Sequence, residues 1–395
     1  MKRLRIGFFT DTWLPNVDGV VFSLLNYRRE LEKGGHKVFI YTAGDAKTKG
    51  AEKNPSVHYY KGIKFPLYKQ YQLALKPFKA ARQARTDGID IVHCHGIAGM
   101  GIAALQTGRS LHLPKIATFH TMIPIAAEKL LPGPQRFKNF AGKIAWRAIV
   151  PFYKKFDIVT TPGASVAKLL KKNGLRHVEV VPNGIDTKHF SPATFTQQQA
   201  DELKKKIGVG DDEPLIACVG RLSKEKNVDV VLKAARILKH QGLRFKLLIG
   251  GDGPTRSSLE RQAKRLGLLD VTRFAGFIPN QQLPLYYKAS DLYVTASTFE
   301  TQSLSLMEAM ACGKICIGAN ALAIPDAITE GKNGFLFEPG NATQCAQKIM
   351  RALALPQQQK EKFMTSARNA TEKYSIEAST RKLESVYKAA LRTRG

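Results

Sequence analysis

Short runs of β-branched and aromatic residues alternate with helix-patterned stretches along most of the chain, and no other feature restricts the fold as much. Candidate strands fall at Arg5–Thr10, Lys37–Tyr41, Ile89–His93, Lys115–Phe119, Asp157–Thr161 and Val178–Val181. After a polar interval a second series follows at Leu215–Gly220, Phe245–Ile249, Val271–Ala275, Leu292–Thr295 and Ile315–Gly318. Helical patterns such as Val228–Gln241 and Ser257–Leu266 lie between them. Parallel strands need a crossover, usually a helix, so this alternation predicts α/β sheets covered on both faces. Two series predict two doubly wound domains, and 395 residues exceed what one core ordinarily holds. The turn-rich stretch PNGIDTKHFSPATFTQQQADE after Val181 is the expected linker. Domains are therefore expected at residues 1–186 and 187–375, followed by a final helical pattern over Ile376–Arg394.

The charge narrows the partners. The chain carries 61 Lys and Arg against 32 Asp and Glu, a formal +29. The excess is greater in the first half, with 31 against 12 in residues 1–190 and 30 against 20 in residues 191–395. A balance this basic points to an anionic partner: nucleic acid, a phosphorylated substrate or an acidic membrane surface. Five cysteines with apolar flanks are expected as reduced, buried thiols. Cys312 and Cys316 have no second pair nearby, so no zinc site is expected. The apolar run in MKRLRIGFFTDT is too short for a signal core. Ile91–Gly108 is long enough to span a bilayer, yet it holds His93, His95, Gln106 and several glycines, which suit a strand and helix. The expectation is a cytoplasmic protein with no membrane span.

In open α/β sheets ligands bind beyond the carboxyl ends of the strands, so the loops there carry the chemistry. Gly19 precedes a helical run, where backbone amides could approach a phosphate; an ordinary turn is the competing reading. CVGRLSKEKNVDVVLKAA leaves its strand with Arg221 and Lys226, a fork of donors and a compact charge suited to a diphosphate, or else a merely basic loop. LIGGDGP is a tight glycine turn without the full dinucleotide fingerprint. FETQSLSLMEAMACG sets Glu300 in a strand-end loop and Glu308 on the following helix, with loop amides at Thr301–Leu304 between them. Carboxylates and amides so placed suit hydroxyls and phosphate oxygens. His120 lies one residue past a strand, where it is catalytic or simply structural. His93 and His95 in DIVHCHG read as structural or cleft-lining. No Asp-x-Asp occurs, so no metal site and no bound cofactor is expected.

The order of these motifs is more specific than any one of them. The Gly19 loop, His120, VPNGID, GRLSKEKN, GGDGP and the pair Glu300/Glu308 together resemble the retaining glycosyltransferase family 4, over nearly the whole length. That resemblance implies a GT-B fold, two Rossmann-like domains facing each other across a cleft, with the last helix returning to the N-terminal domain. It implies that Gly19 contacts the donor diphosphate and that Arg221 and Lys226 neutralise it as it leaves. It implies that Glu308 binds the ribose, that Glu300 and the amides of Thr301, Gln302, Ser303 and Leu304 hold the sugar, and that Gly220, Gly251 and Ile278 line the donor site. His120 would sit near the sugar's primary hydroxyl. Asp18 before Gly19 and Thr301-Gln302 after Glu300 depart from the pattern, where a second glycine and Phe-Gly are common.

FTDTWLPNVDGVVFS and SASTFETQSLSLMEAMACG resemble diacylglycerol glucosyltransferases, which implies UDP-glucose as donor, a lipid acceptor and a peripheral site on the inner face of the cell membrane. Residues 53–85 and 129–155 carry eight and seven Lys/Arg, no acid, and interleaved aromatics. Such a mixture suits a segment lying on anionic lipid, with a solvated basic face as the alternative. Lys76, Lys79, Arg82, Arg85, Lys138, Lys143, Trp146 and Arg147 are the expected membrane or acceptor residues. The same chemistry with GDP-mannose or UDP-galactose, or with a phosphoinositide, polyprenyl or oligosaccharide acceptor, is the nearest rival. A nucleic-acid-binding protein would explain the charge but leave Glu300, Glu308 and His120 idle. A nicotinamide-dependent dehydrogenase would need the missing glycine fingerprint.

Overall fold

The computed structural model describes residues 3–15, 18–44, 54–65, 68–76, 78–130 and 133–393, with the side chains of residues 64–65, 68–73 and 127–130 excepted. Phe65, Tyr68, Tyr71 and Lys129 of the basic–aromatic stretches therefore have no described side chain, and Lys53, Met1, Lys2 and Arg394 lie outside the described residues. The chain divides into two units, Met1–Gly184 with Ile376–Gly395, and Ile185–Ser375. The expected division was 186/187.

The first unit holds β1 (Arg5–Thr10), β2 (Lys37–Gly44), β3 (Val57–Phe65), β4 (Tyr68–Ala74), β5 (Ile91–Cys94), β6 (Lys115–Thr118), β7 (Ile158–Thr161) and β8 (Val178–Val180). They form one sheet in the order β4-β3-β2-β1-β5-β6-β7-β8, parallel except for the antiparallel edge strand β4. Central strands are buried along nearly their full length, as a sheet covered on both faces requires. Phe8 stands opposite Ile40 on one side and His93 on the other. The C-terminal helix Ile376–Arg392 buries Leu383, Val386, Tyr387 and Ala390 against Trp13, Leu24 and Tyr27 in this unit's core.

The second unit holds β9 (Leu215–Val219), β10 (Lys246–Gly250), β11 (Thr272–Gly276), β12 (Leu292–Thr295), β13 (Ile315–Ala319) and β14 (Gly334–Phe337). All pair in parallel in the order β11-β10-β9-β12-β13-β14. Leu247, Ile249, Val294, Ile317 and Phe335 pack against Val231, Leu232 and Leu238 of the helix Val228–His240. The expected linker is partly helical. Thr196 and Gln199 form a capping box that starts the helix Gln197–Lys206.

Each sheet has one place where its strand order reverses, between β1 and β5 in the first unit and between β9 and β12 in the second. Chain leaving the two strands there turns to opposite faces and opens a crevice, which is where such sheets bind ligands. Among the described residues no helix is long and apolar enough to cross a membrane.

Candidate active site

At the reversal in the second unit, the loop after β9 supplies Arg221 and Lys226 and the loop after β12 supplies Glu300. Lys226 Nζ donates to Glu300 Oε1 at 2.5 Å, with the two side chains 28% and 10% exposed. Arg221 is exposed, and its guanidinium has no ion pair or hydrogen bond among the described residues. The crevice thus holds one cation paired to a carboxylate and one open to an incoming anion.

Asn227, which the sequence reading passed over, fixes this geometry. It sits in the left-handed region, φ 49°, between the short 3-10 turn Lys224–Lys226 and the helix Val228–His240. Its Nδ2 lies 3.2 Å from Ala296 O and 3.1 Å from Thr298 Oγ1, clamping the Lys226 loop to the loop that leads to Glu300. Asparagine is enriched at positive φ and can hydrogen-bond locally, which is the signal GRLSKEKN offered.

Neighbouring loops are stitched to this crevice. Gly220 N–H donates to Gly250 O at 3.0 Å, and Leu222 N–H to Asp252 O at 2.9 Å. Gly251 has φ 118°, and a side chain there would collide with the Gly220 carbonyl oxygen, so the close approach requires glycine. Ile278 is buried with its Cδ1 against Gly250. Gly220, Gly251 and Ile278 are thus brought together at the ends of β9, β10 and β11.

After Glu300, Thr301 and Ser303 are buried, Gln302 is half-buried, and the helix Leu304–Ala311 begins with no cap from the Ser303 side chain and no acid in its first turn. Its uncapped amides and helix dipole favour an anion. Glu308 lies one turn on, half-buried, and its Oε2 accepts from Tyr287 Oη at 3.0 Å. Burial pushes its carboxyl up to about 7, against the opposing effect of that hydrogen bond. Tyr287 is a second residue the sequence reading missed; only the tertiary fold brings it to Glu308. Among the described residues no group of three His, Cys, Asp or Glu side chains could hold a metal ion.

In the first unit, Gly19 opens the helix Gly19–Lys33 after the reversal-point strand β1. Asp18 caps that helix, its Oδ1 accepting from Val20 N and Val21 N at 2.9 Å each, and its Oδ2 from Thr12 Oγ1 at 3.1 Å. Two of the amides expected to be open to a diphosphate, those of Val20 and Val21, are therefore held by a carboxylate, and among the described residues the Gly19 amide has no such partner. Asp11, just past β1, holds the start of the helix Gly99–Ser110 from outside that helix, accepting from Ala98 N at 3.0 Å and Met100 N at 2.9 Å. Burial raises its carboxyl to about 6. His120 stands just past β6, half-buried, with Nε2 3.0 Å from His95 Nδ1. Burial depresses the His120 imidazole to about 4, so it is neutral at ordinary pH.

Lys76, Lys79, Arg82 and Arg85 are exposed on and before the helix Lys79–Thr86. Lys143 and Arg147 are exposed on the helix Gln135–Tyr153, where Lys138 is half-buried. Beside them Phe137, Phe140 and Ile144 are 51%, 57% and 48% exposed and share one helix face. Trp146, expected at that surface, is half-buried and stacks on Phe119, the neighbour of His120, with ring planes 6° apart. Its position on the helix turns it inward, off the face that carries Phe137 and Phe140.

Comparison with known proteins gives this geometry a family. Residues 17–189 match the family model Glycosyltransferase Family 4, and residues 199–370 match Glycosyl transferases group 1. An alpha-monoglucosyldiacylglycerol synthase of Streptococcus pneumoniae is 32% identical over 85% of this chain and 75% of its own length. A synthase of the same name from Acholeplasma laidlawii is 29% identical over 97% and 96%. The crystal structure of Anabaena Alr3699/HepE in complex with UDP and glucose superposes with a TM-score of 0.78 at 19% identity, over 98% of this chain and all of that one.

Proposed function

The chain belongs to the group 1, family 4 glycosyltransferases, retaining hexosyltransferases that use nucleotide sugars, and from that premise we propose that it moves glucose from UDP-glucose to diacylglycerol at a membrane surface. The second unit holds the donor. Arg221 and Lys226 take the diphosphate, assisted by the uncapped helix end at Leu304; Glu300 grips the sugar and Glu308 the ribose. As the diphosphate departs its charge grows, and fixed cations that need no reorganisation lower that barrier. Donor arrival turns Lys226 from Glu300 toward phosphate and frees Glu300 for sugar hydroxyls. The protein binds as a peripheral membrane enzyme, with the first unit serving the lipid.

The observation that carries the lipid reading is the face of the helix Gln135–Tyr153. Phe137, Phe140 and Ile144 are exposed in a row among Arg136, Lys143 and Arg147. An apolar stripe flanked by cations suits insertion at a headgroup boundary, each cation near anionic lipid contributing about 1 kcal/mol. Two long relatives named as glucosyldiacylglycerol synthases support the same acceptor and sugar. The test is a panel in mixed micelles, in which UDP-glucose, UDP-galactose and GDP-mannose are each offered with diacylglycerol or phosphatidylinositol. UDP-glucose with diacylglycerol should give the highest kcat/KM. Preference for another pair would replace these substrates without touching the family.

A further inference from the structure

We propose that His95 is a positioning residue for His120: its Nδ1–H donates to His120 Nε2, so the His120 proton is held on Nδ1 and the ring is kept in one tautomer and orientation. This rests on the reading of His120 as a contact to the transferred sugar, and it gives the DIVHCHG histidines a task in that reading.

His93 lies in β5, and both its nitrogens are engaged, Nδ1 with Tyr387 Oη at 2.8 Å and Nε2 with Thr118 Oγ1 at 2.7 Å. Thr118 Oγ1 in turn meets Thr160 Oγ1 at 2.7 Å. A ring held on both sides is a fixed wall, and the His95 ring lies against it with centroids 3.9 Å apart. Phe8 closes from another side with its centroid 4.9 Å away in an edge arrangement, and the His95 backbone N–H donates to Phe9 O at 2.7 Å. His95 is thus buried and clamped, with Nδ1 directed at His120 Nε2 at 3.0 Å. Its own Nε2 is buried and has no hydrogen-bond partner among the described residues.

Two neutral imidazoles joined by one hydrogen bond share a single proton in it. Burial keeps all three histidines neutral, His93 and His95 falling well below the usual range. If His120 were the donor, the His95 proton would sit on Nε2, a buried N–H with no acceptor. Orphaned N–H groups are rarer in folded proteins than under-used acceptors. Donation by His95 leaves only an unused lone pair at that position. The His120 Nε2 lone pair is then consumed, which fixes its proton on Nδ1.

The experiment is nitrogen–proton NMR on the full chain with 15N-labelled histidine, the His120 ring assigned among the nine histidines with a His120→Gln variant. Without substrate at pH 7, His120 should show a protonated Nδ1 and a bare Nε2. His95→Asn offers an amide N–H near the Nδ1 position and should keep that tautomer and most of kcat. His95→Phe fills the space without a donor. It should give a tautomer mixture at His120 and lower kcat by roughly ten- to a hundredfold, with the donor KM unchanged. A wild-type His120 protonated on Nε2 would overturn the assignment, as would a natively folded His95→Phe with full kcat. Because the tautomer is read without substrate, it stands or falls separately from the choice of sugar and lipid. Should His95→Phe fail to fold, the wild-type spectrum and the Asn variant still decide.

Discussion

Glu308→Gln should stabilise the second unit while weakening donor binding, and the two effects should share one pH window. The carboxyl rises from its ordinary value of 4.5 to about 7 because burial opposes its charge. An acid whose folded value is raised adds nothing adverse while protonated, and it costs stability as pH climbs from the unfolded value through the folded one. The cost therefore opens at about pH 4.5 and levels off above about 7. At about 1.4 kcal/mol per pH unit the full displacement comes to about 3 kcal/mol, a ceiling because Glu308 keeps some exposure. Glutamine has the same shape and no charge, so the variant escapes that cost. For a unit running from Ile185 to Ser375, about 2–4 °C per kcal/mol makes the variant's transition roughly 6–12 °C higher at pH 8, and nearly equal at pH 4.5. The assay is scanning calorimetry of wild type and Glu308→Gln from pH 4.5 to 8.5. In the role proposed for Glu308, ribose hydroxyls donate to its ionised carboxylate, so wild-type donor KM should fall as pH rises through about 7, and Glu308→Gln should lose that trend. A melting difference independent of pH would refute the reasoning, because it would mean Glu308 carries the same charge throughout.

Arg221→Ala should lower transfer by roughly 10²–10³ with an unchanged melting temperature, because its exposed guanidinium makes no hydrogen bond or ion pair among the described residues. Lys226→Ala should lower transfer as far and also destabilise, since it leaves Glu300 without its cation; full activity in steady-state assays would remove either residue from the diphosphate. Asn227→Gly keeps the left-handed backbone and loses the clamp to Ala296 and Thr298, so kcat should drop more than stability does, whereas Asn227→Ala should also melt lower from strain. Unaltered kcat in the glycine variant would show the clamp dispensable. Changing Phe137, Phe140 and Ile144 together to Ser should weaken sedimentation with anionic vesicles by at least about tenfold and spare UDP-glucose hydrolysis, because all three are already exposed. Undiminished binding would move the lipid surface to Lys76, Lys79, Arg82 and Arg85.

Much of this molecule was legible in its sequence, because buried parallel strands announce themselves as apolar runs. β1 and β12 run over the very residues expected, Arg5–Thr10 and Leu292–Thr295. The β3–β4 pair was not, because its alternating basic and aromatic residues read as an interfacial segment rather than as a sheet edge. β14, Gly334–Phe337, was not singled out either; it opens on a glycine directly after Asn333, which reads as a turn. In the candidate site, cations and carboxylates at strand ends could be named from spacing, since their loops follow their strands directly. Their partners could not. His95 reaches His120 only because β5 pairs with β6 in a register that sets His93 opposite Ile116, and Tyr287 reaches Glu308 through packing of separate helices. Asp18 looked like a missing glycine, yet its carboxylate is an N-cap, a role visible only once the helix start is known.

The most direct test of the account is transfer of labelled glucose from UDP-glucose to diacylglycerol in mixed micelles as the mole fraction of anionic lipid is raised. The account predicts label in a single glucosyl-diacylglycerol, formed faster as the anionic fraction increases. Label released only as free glucose, or passed to a water-soluble acceptor at a rate indifferent to lipid charge, would contradict it.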